Sequence, residues 1–172
     1  AKQACDIDLV AAMGVSSILT VDEDISVTSP RSMLIINSFF LMREIESSLA
    51  LLSNAVLNTS TELFRLKLAV SKTDPGAVAE WREWGCVCAG DRLLPCAYHE
   101  TVLHYDRIVD NFGPISSLPS DFPLFPSSSG EPLSKQEVVS MYESVALQVG
   151  MPLLDSLGRK RVGGHTARVS GA

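Results

Sequence analysis

Positive charge is what this sequence is short of. Among its 172 residues, 14 are Lys or Arg against 20 Asp or Glu, a formal net charge of -6. Neutralising phosphates normally takes a basic face, so this balance speaks against a generic nucleic-acid binder. Long apolar runs are missing too. Met33 to Met42 is broken by Asn37 and Ser38 and followed by Arg43, Glu44 and Glu46, well short of a membrane-spanning helix. The opening residues carry no charged segment ahead of an apolar one, so no secretory signal is read there. The Asn58-Thr59-Ser60 glycosylation sequon accordingly carries little weight. Tyrosines number three, Tyr98, Tyr105 and Tyr142, and all precede His165.

What is there suffices for one domain with a proper core. The chain starts at Ala1 and its last helix-like stretch has no evident terminator, which suggests a fragment. Residues 1–28 yield no clear element and are set apart from 29–172. The expected fold class is α+β, mostly helical with a small antiparallel β-hairpin or sheet.

Ser29-Pro30 reads as an N-cap followed by Pro at the first helical position, opening a helix to about Arg43. A second helical segment is expected from Glu44 to about Leu57. From Thr61 the period changes to two: Phe64, Leu66, Leu68 and Val70 alternate with Arg65, Lys67, Ala69 and Ser71, as in a half-buried strand. Lys72 follows, then the turn signal Asp74-Pro75-Gly76 and a returning strand through Trp84, Cys86 and Cys88. Pro95 to Phe112 has Val102, Tyr105, Val109 and Phe112 spaced for one helix face, with Gly113-Pro114 ending it. Ser116 to Ser129 is a Ser/Pro-rich connection anchored by Asp121-Phe122-Pro123-Leu124-Phe125-Pro126. Ser134 and Glu137 form a capping box for a helix with the stripe Val138, Tyr142, Val145 and Val149, stopped by Gly150.

Four polar groups stand out: Arg43 ending an apolar helix, Lys72 at the hairpin, and His165 with Arg168 near the end. On a helix the last two share a face, so an imidazole and a guanidinium can reach one phosphate. Gly158-Arg159-Lys160-Arg161 adds three cations just before them, allowing a cationic pocket inside an acidic chain. Each has a plain structural reading as well. An Arg at a helix end complements the macrodipole, a Lys beside a turn is solvated, and an isolated HxxR arises by chance.

Taken in order, the four groups give a sequence that resembles the catalytic domain of tyrosine recombinases, the phage-integrase-like family that cuts and rejoins DNA. "FFLMREIESSLALL" is similar to that family's first-Arg region and "KLAVSKTD" to its hairpin carrying a catalytic Lys. "PLFPSSSGEPLSKQEVVSMYESVALQVGM" looks like the segment leading to its HxxR box, and "GGHTAR" follows. The resemblance covers about residues 31 to 172. It implies that Arg43 and Arg168 clamp the scissile phosphate, Lys72 protonates the leaving 5′ oxygen, and His165 assists proton transfer. It also implies a Tyr nucleophile forming a 3′-phosphotyrosyl intermediate, which needs neither ATP nor metal. None of the three tyrosines fills that role, since the family places its nucleophile well after HxxR. The chain as given is therefore expected to be inactive. The implied partner is double-stranded DNA, with self-assembly on DNA in the complete protein, in an intracellular compartment, nuclear if eukaryotic.

A second constellation is not typical of that family. Cys86, Cys88, Cys96 and His99 form a CxCx7CxxH pattern, and three thiolates with one imidazole suit a closed tetrahedral zinc site. The alternative is that Cys86 and Cys88 are small core residues, with Cys96 and His99 unrelated to them. A disulfide is disfavoured in a reducing compartment.

Three readings follow: a recombinase-like domain from a mobile element, a non-catalytic and zinc-stabilised DNA- or protein-binding domain derived from one, or an unrelated globular domain. The first requires Arg43, Lys72, His165 and Arg168 to converge on one concave pocket.

Overall fold

Helix α2, Pro30–Phe39, forms where Ser29 adopts an extended conformation and Pro30 presets the first helical turn. It is buried on nearly all sides, from Arg31 to Ser38, and the other elements assemble around it. A computed structural model describes residues 4–12, 27–68, 81–91 and 94–171. Among them are six α-helices and one three-stranded antiparallel sheet, an α+β arrangement as the sequence predicts. No helix among these residues is long and apolar enough to cross a membrane.

The helices are α1 (Ile7–Ala12), α2, α3 (Glu44–Ser48), α4 (Ala97–Phe112), α5 (Lys135–Gln148) and α6 (Thr166–Ser170). The strands are β1 (Ala55–Asn58), β2 (Leu63–Lys67) and β3 (Trp81–Gly85), in the order β1-β2-β3. Val56 pairs with Arg65, and Phe64 with Trp84. The alternation seen in the sequence is realised on β2, where Phe64 and Leu66 are buried and Arg65 is exposed. Val70, Lys72 and the Asp74-Pro75-Gly76 turn lie outside the described residues.

Four expectations are corrected. Residues 4–12 contain α1, and Cys5, Val10 and Ala11 join the main core. Helix α2 stops at Phe39 rather than near Arg43, because Leu41 takes a left-handed φ of 52° and Met42 N–H bonds back to the Asn37 carbonyl. The segment after Glu44 is helical only to Ser48. It then turns into β1, since Ala50 and Leu52 bond the backbone of Leu124 and Phe122, and the next residues find an edge on β2. Tertiary pairing here overrides the helical spacing.

The fourth concerns α4, whose buried face is Ala97, Tyr98, Glu100, Thr101, His104 and Ile108, while Val109 is exposed. Polar partners select that face. The Glu100 carboxylate pairs with the Arg31 guanidinium of α2 and accepts from Ser32 Oγ at 2.9 Å. His104 Nε2 meets the Leu124 carbonyl at 2.6 Å. A buried ion pair is tolerated only when its hydrogen bonds are filled, and Arg31 fills its others with the carbonyls of Val10 and Ala11. Phe122, Leu124 and Phe125 are buried, so the Ser/Pro-rich connection is anchored as expected.

Helix α5 follows its sequence signals closely. Glu137 N–H donates to Ser134 Oγ and Ser134 N–H donates to the Glu137 carboxylate, the reciprocal bonds of a capping box. Val138, Tyr142 and Val145 face the core. Asn37 Nδ2 donates to the Tyr142 hydroxyl at 2.7 Å, tying α5 to α2.

Candidate functional site

The corner between α2 and α3 collects most of the groups singled out in the sequence. Arg43 stands at its apex as the N-cap residue of α3, in extended conformation. Its backbone N–H donates to Glu46 Oε2 at 2.7 Å, and its carbonyl accepts from Ser47 N and Oγ, both at 3.0 Å. Arg43 Nε is buried and has no hydrogen-bond partner among the described residues.

The HxxR segment docks on this corner. Glu44 N–H donates to the Gly164 carbonyl at 3.1 Å, and Arg168 Nε donates to the Leu41 carbonyl at 2.8 Å across 127 sequence positions. Arg168 Nη2 also lies 3.8 Å from Glu46 Oε2, the same oxygen that holds Arg43 N–H. One carboxylate thus links the two arginines. His165 is exposed and occupies the N-cap position of α6. Lys72 lies outside the described residues.

Two glycines make the docking possible. A Cβ at Gly164 would overlap the Glu44 carboxylate, and one at Gly171 would overlap the Ser38 carbonyl. HTAR therefore sits between two positions where the chain approaches α2 and α3 more closely than any side chain allows.

The carbonyls that end α2 explain why this corner holds its shape. A helix terminus leaves its last carbonyls without partners inside the helix. Here the last carbonyl of the helix and the two that follow it are taken by side chains: Phe39 O by Trp84 Nε1 at 2.8 Å, Phe40 O by Arg82 Nη1 at 2.7 Å, and Leu41 O by Arg168 Nε. The first two donors come from β3, and the Trp84 ring also packs edge-on against Phe39 at 5.2 Å. Sequence reasoning missed Arg82, Trp84, Glu46, Gly164 and Gly171. Only the Gly-Gly before His165 carried a readable signal.

Chemically, the Arg168 guanidinium and the Arg43 backbone N–H meet on the Glu46 carboxylate, and a guanidinium suits a phosphate or another bidentate oxyanion. Glu46 already engages Arg168, so an incoming anion has to compete with it. Burial pushes the Tyr142 phenol up to about 12, and it likewise raises Tyr98 and Tyr105 above their ordinary value.

The second site is the Cys3His group, whose four ligand atoms lie within 4.8 Å of one another and can hold a metal ion. Its local structure follows from the sequence. Cys86 N–H extends the β2–β3 ladder to the Glu62 carbonyl. Ala89 and Gly90, at φ 47° and 86°, then reverse the chain after Cys88. Cys96 is the N-cap residue of α4, and His99 lies on that helix's first turn. Cys86 Sγ is 3.7 Å from both Cys88 Sγ and His99 Nδ1, and Cys88 Sγ is 3.1 Å from His99 Nδ1. Bond lengths for tetrahedral zinc put S···S at about 3.8 Å and S···N at about 3.6 Å, so the Cys86 separations match and the 3.1 Å between Cys88 and His99 would lengthen around an ion.

The environment separates the thiols. Burial works against ionising Cys96, yet backbone hydrogen bonds from His99 and Val87 outweigh it and hold this thiol at about 7. The position at a helix N-terminus favours a thiolate as well. Burial pushes Cys88 up to about 11 despite a backbone hydrogen bond from Gly90. Cys86 and Cys88 are thus more than small core residues: they face Cys96 and His99. No protein-family model and no curated protein matches this sequence.

Proposed function

We propose that this chain is a tyrosine-recombinase-like domain that binds double-stranded DNA, with Arg43, His165 and Arg168 around the scissile phosphate and Lys72 as the proton donor. The observation that carries the reading is the meeting of the HTAR segment with the Arg43 corner, joined through Leu41 and Glu46, with Arg43 Nε left without an acceptor among the described residues. A phosphate oxygen would satisfy that donor, and paired guanidiniums stabilise the added negative charge of a pentacoordinate transition state. The nucleophilic Tyr would come from outside these 172 residues, because all three tyrosines here precede His165, whereas the family this chain resembles places its nucleophile well after HxxR. In this reading the complete protein assembles on DNA, belongs to a mobile element, and works in an intracellular compartment, the nucleus in a eukaryotic cell.

The Cys3His group belongs to the scaffold. Three thiols and one imidazole gathered within 4.8 Å of one another support zinc in a closed, structural site, with Cys86, Cys88, Cys96 and His99 as its ligands. A specific observation also favours a second, non-catalytic reading, a zinc-stabilised DNA- or protein-binding domain: Glu46 lies beside Arg168, where the phosphate would bind.

Duplex binding measured by fluorescence anisotropy over a salt series tests the proposal. Salt-sensitive binding is expected, weakened about 3- to 10-fold by Arg43→Ala and by Arg168→Ala, with a shallower salt slope for each. Absence of duplex binding at low salt would remove the DNA reading. Binding that ignores both substitutions would favour the non-catalytic one.

A further inference from the structure

The metal group and the arginine corner are joined by one continuous piece of structure. Cys86 directly follows β3 and keeps that strand's pairing through the Glu62 carbonyl. Two and four residues earlier are Trp84 and Arg82, which share one side of the strand because strand side chains alternate. These are the residues that bond Phe39 O and Phe40 O. The next carbonyl, Leu41 O, holds Arg168, and Arg43 is two residues further on.

From this we infer that zinc held by Cys86, Cys88, Cys96 and His99 fixes the geometry of the Arg43–Arg168 corner through β3, with Arg82 and Trp84 as the positioning residues between them. The inference rests on the zinc assignment above. It goes beyond that assignment by giving the metal a task outside its own loop.

The physical reason lies in what else secures β3. Among the described residues it is an edge strand of the sheet, paired only with β2, and Trp81 and Trp84 are 45% and 41% exposed. A strand held on one side is easily displaced. The metal would fasten its end to the first turn of α4, and α4 is itself held to α2 by the buried Arg31–Glu100 pair. With β3 fastened, the donors to Phe39 O and Phe40 O stay in register and Leu41 keeps the φ that presents its carbonyl to Arg168. Coupling of this kind travels through rigid elements and hydrogen bonds and needs direct evidence at both ends.

Hydrogen exchange followed by mass spectrometry supplies that evidence without relying on activity, alongside metal analysis of each sample. In the zinc-loaded wild-type protein, chelation should speed exchange at least about tenfold in peptides covering 81–91 and also in 39–44 and 163–171. The Arg82→Ala/Trp84→Phe variant should still retain one zinc per chain. Its corner peptides should already exchange fast, with no further response to chelation, and Arg82→Lys alone should stay close to wild type.

If zinc leaves, 81–91 responds and the corner does not, the coupling is overturned while the zinc site stands. A wild-type protein that retains no zinc overturns the site, and the coupling with it. Should chelation unfold the whole chain, the zinc-loaded variant decides. Corner protection equal to wild type refutes the inference; loosening confined to 39–44 and 163–171, with α5 still protected, supports it.

Discussion

Arg168 Nε donates to the Leu41 carbonyl at 2.8 Å, joining the last helix to the end of the central one. The bond uses a charged donor on a carbonyl that no helical partner can serve. Its geometry depends on the planar guanidinium, whose Nε and Nη2 face Leu41 and Glu46 together. Arg168→Ala should destabilise the fold by about 1–2 kcal/mol, and Arg168→Lys should recover little, since an ammonium cannot reproduce both directions. Urea denaturation of the three proteins checks this, and full recovery by Lys would contradict the geometry.

Gly164→Ala forces a methyl group into the Glu44 carboxylate. Overpacking of this kind should cost about 1–3 kcal/mol. Because the obstacle is a side chain, adding Glu44→Ala should return most of the loss, a coupling a double-mutant cycle reads directly. Gly171→Ala meets the Ser38 backbone carbonyl, so no side-chain substitution should rescue it.

Metal removal gives the third prediction. If the Cys3His group holds a structural zinc, chelation and Cys88→Ser should each lower the melting temperature by several degrees. The two effects should not add, because both act on one site. An unchanged transition in excess chelator, with no metal in the untreated sample, would count against zinc.

His104 predicts the acid limb of the stability profile. Burial first, then the nearby Arg107 charge, depress its pKa from 6.5 to about 4, although the Leu124 carbonyl pulls the other way. Nε2 therefore carries the proton given to Leu124 O, and the buried Nδ1 has no partner among the described residues. Between pH 6.5 and about 4 the unfolded chain binds a proton that the folded chain refuses. The stability from keeping this histidine neutral is fully present above pH 6.5 and is lost as pH falls toward 4, on the order of 3 kcal/mol in all. His104→Gln, which keeps a donor but does not titrate, should flatten that window in denaturation experiments from pH 7 to 4.

Much of this protein was legible in its sequence because local signals act over a few residues. Pro30 opens α2, the Ser134–Glu137 box opens α5, the alternation at Phe64 and Leu66 sets β2, and the CxCx7CxxH spacing gathers four side chains able to hold a metal around a strand end and a helix start. Charge and the lack of a long apolar run likewise followed from composition alone. Tertiary structure decided the rest. Residues 55–58 became a strand because β2 offered unpaired backbone groups, and α4 buried Glu100 and His104 because Arg31 and Leu124 O were waiting for them. The arginine corner belongs to that second class. Its partners, Leu41 O, Glu46, Arg82 and Trp84, meet only when α2 ends at Phe39 and leaves three carbonyls unserved, a need no local pattern records.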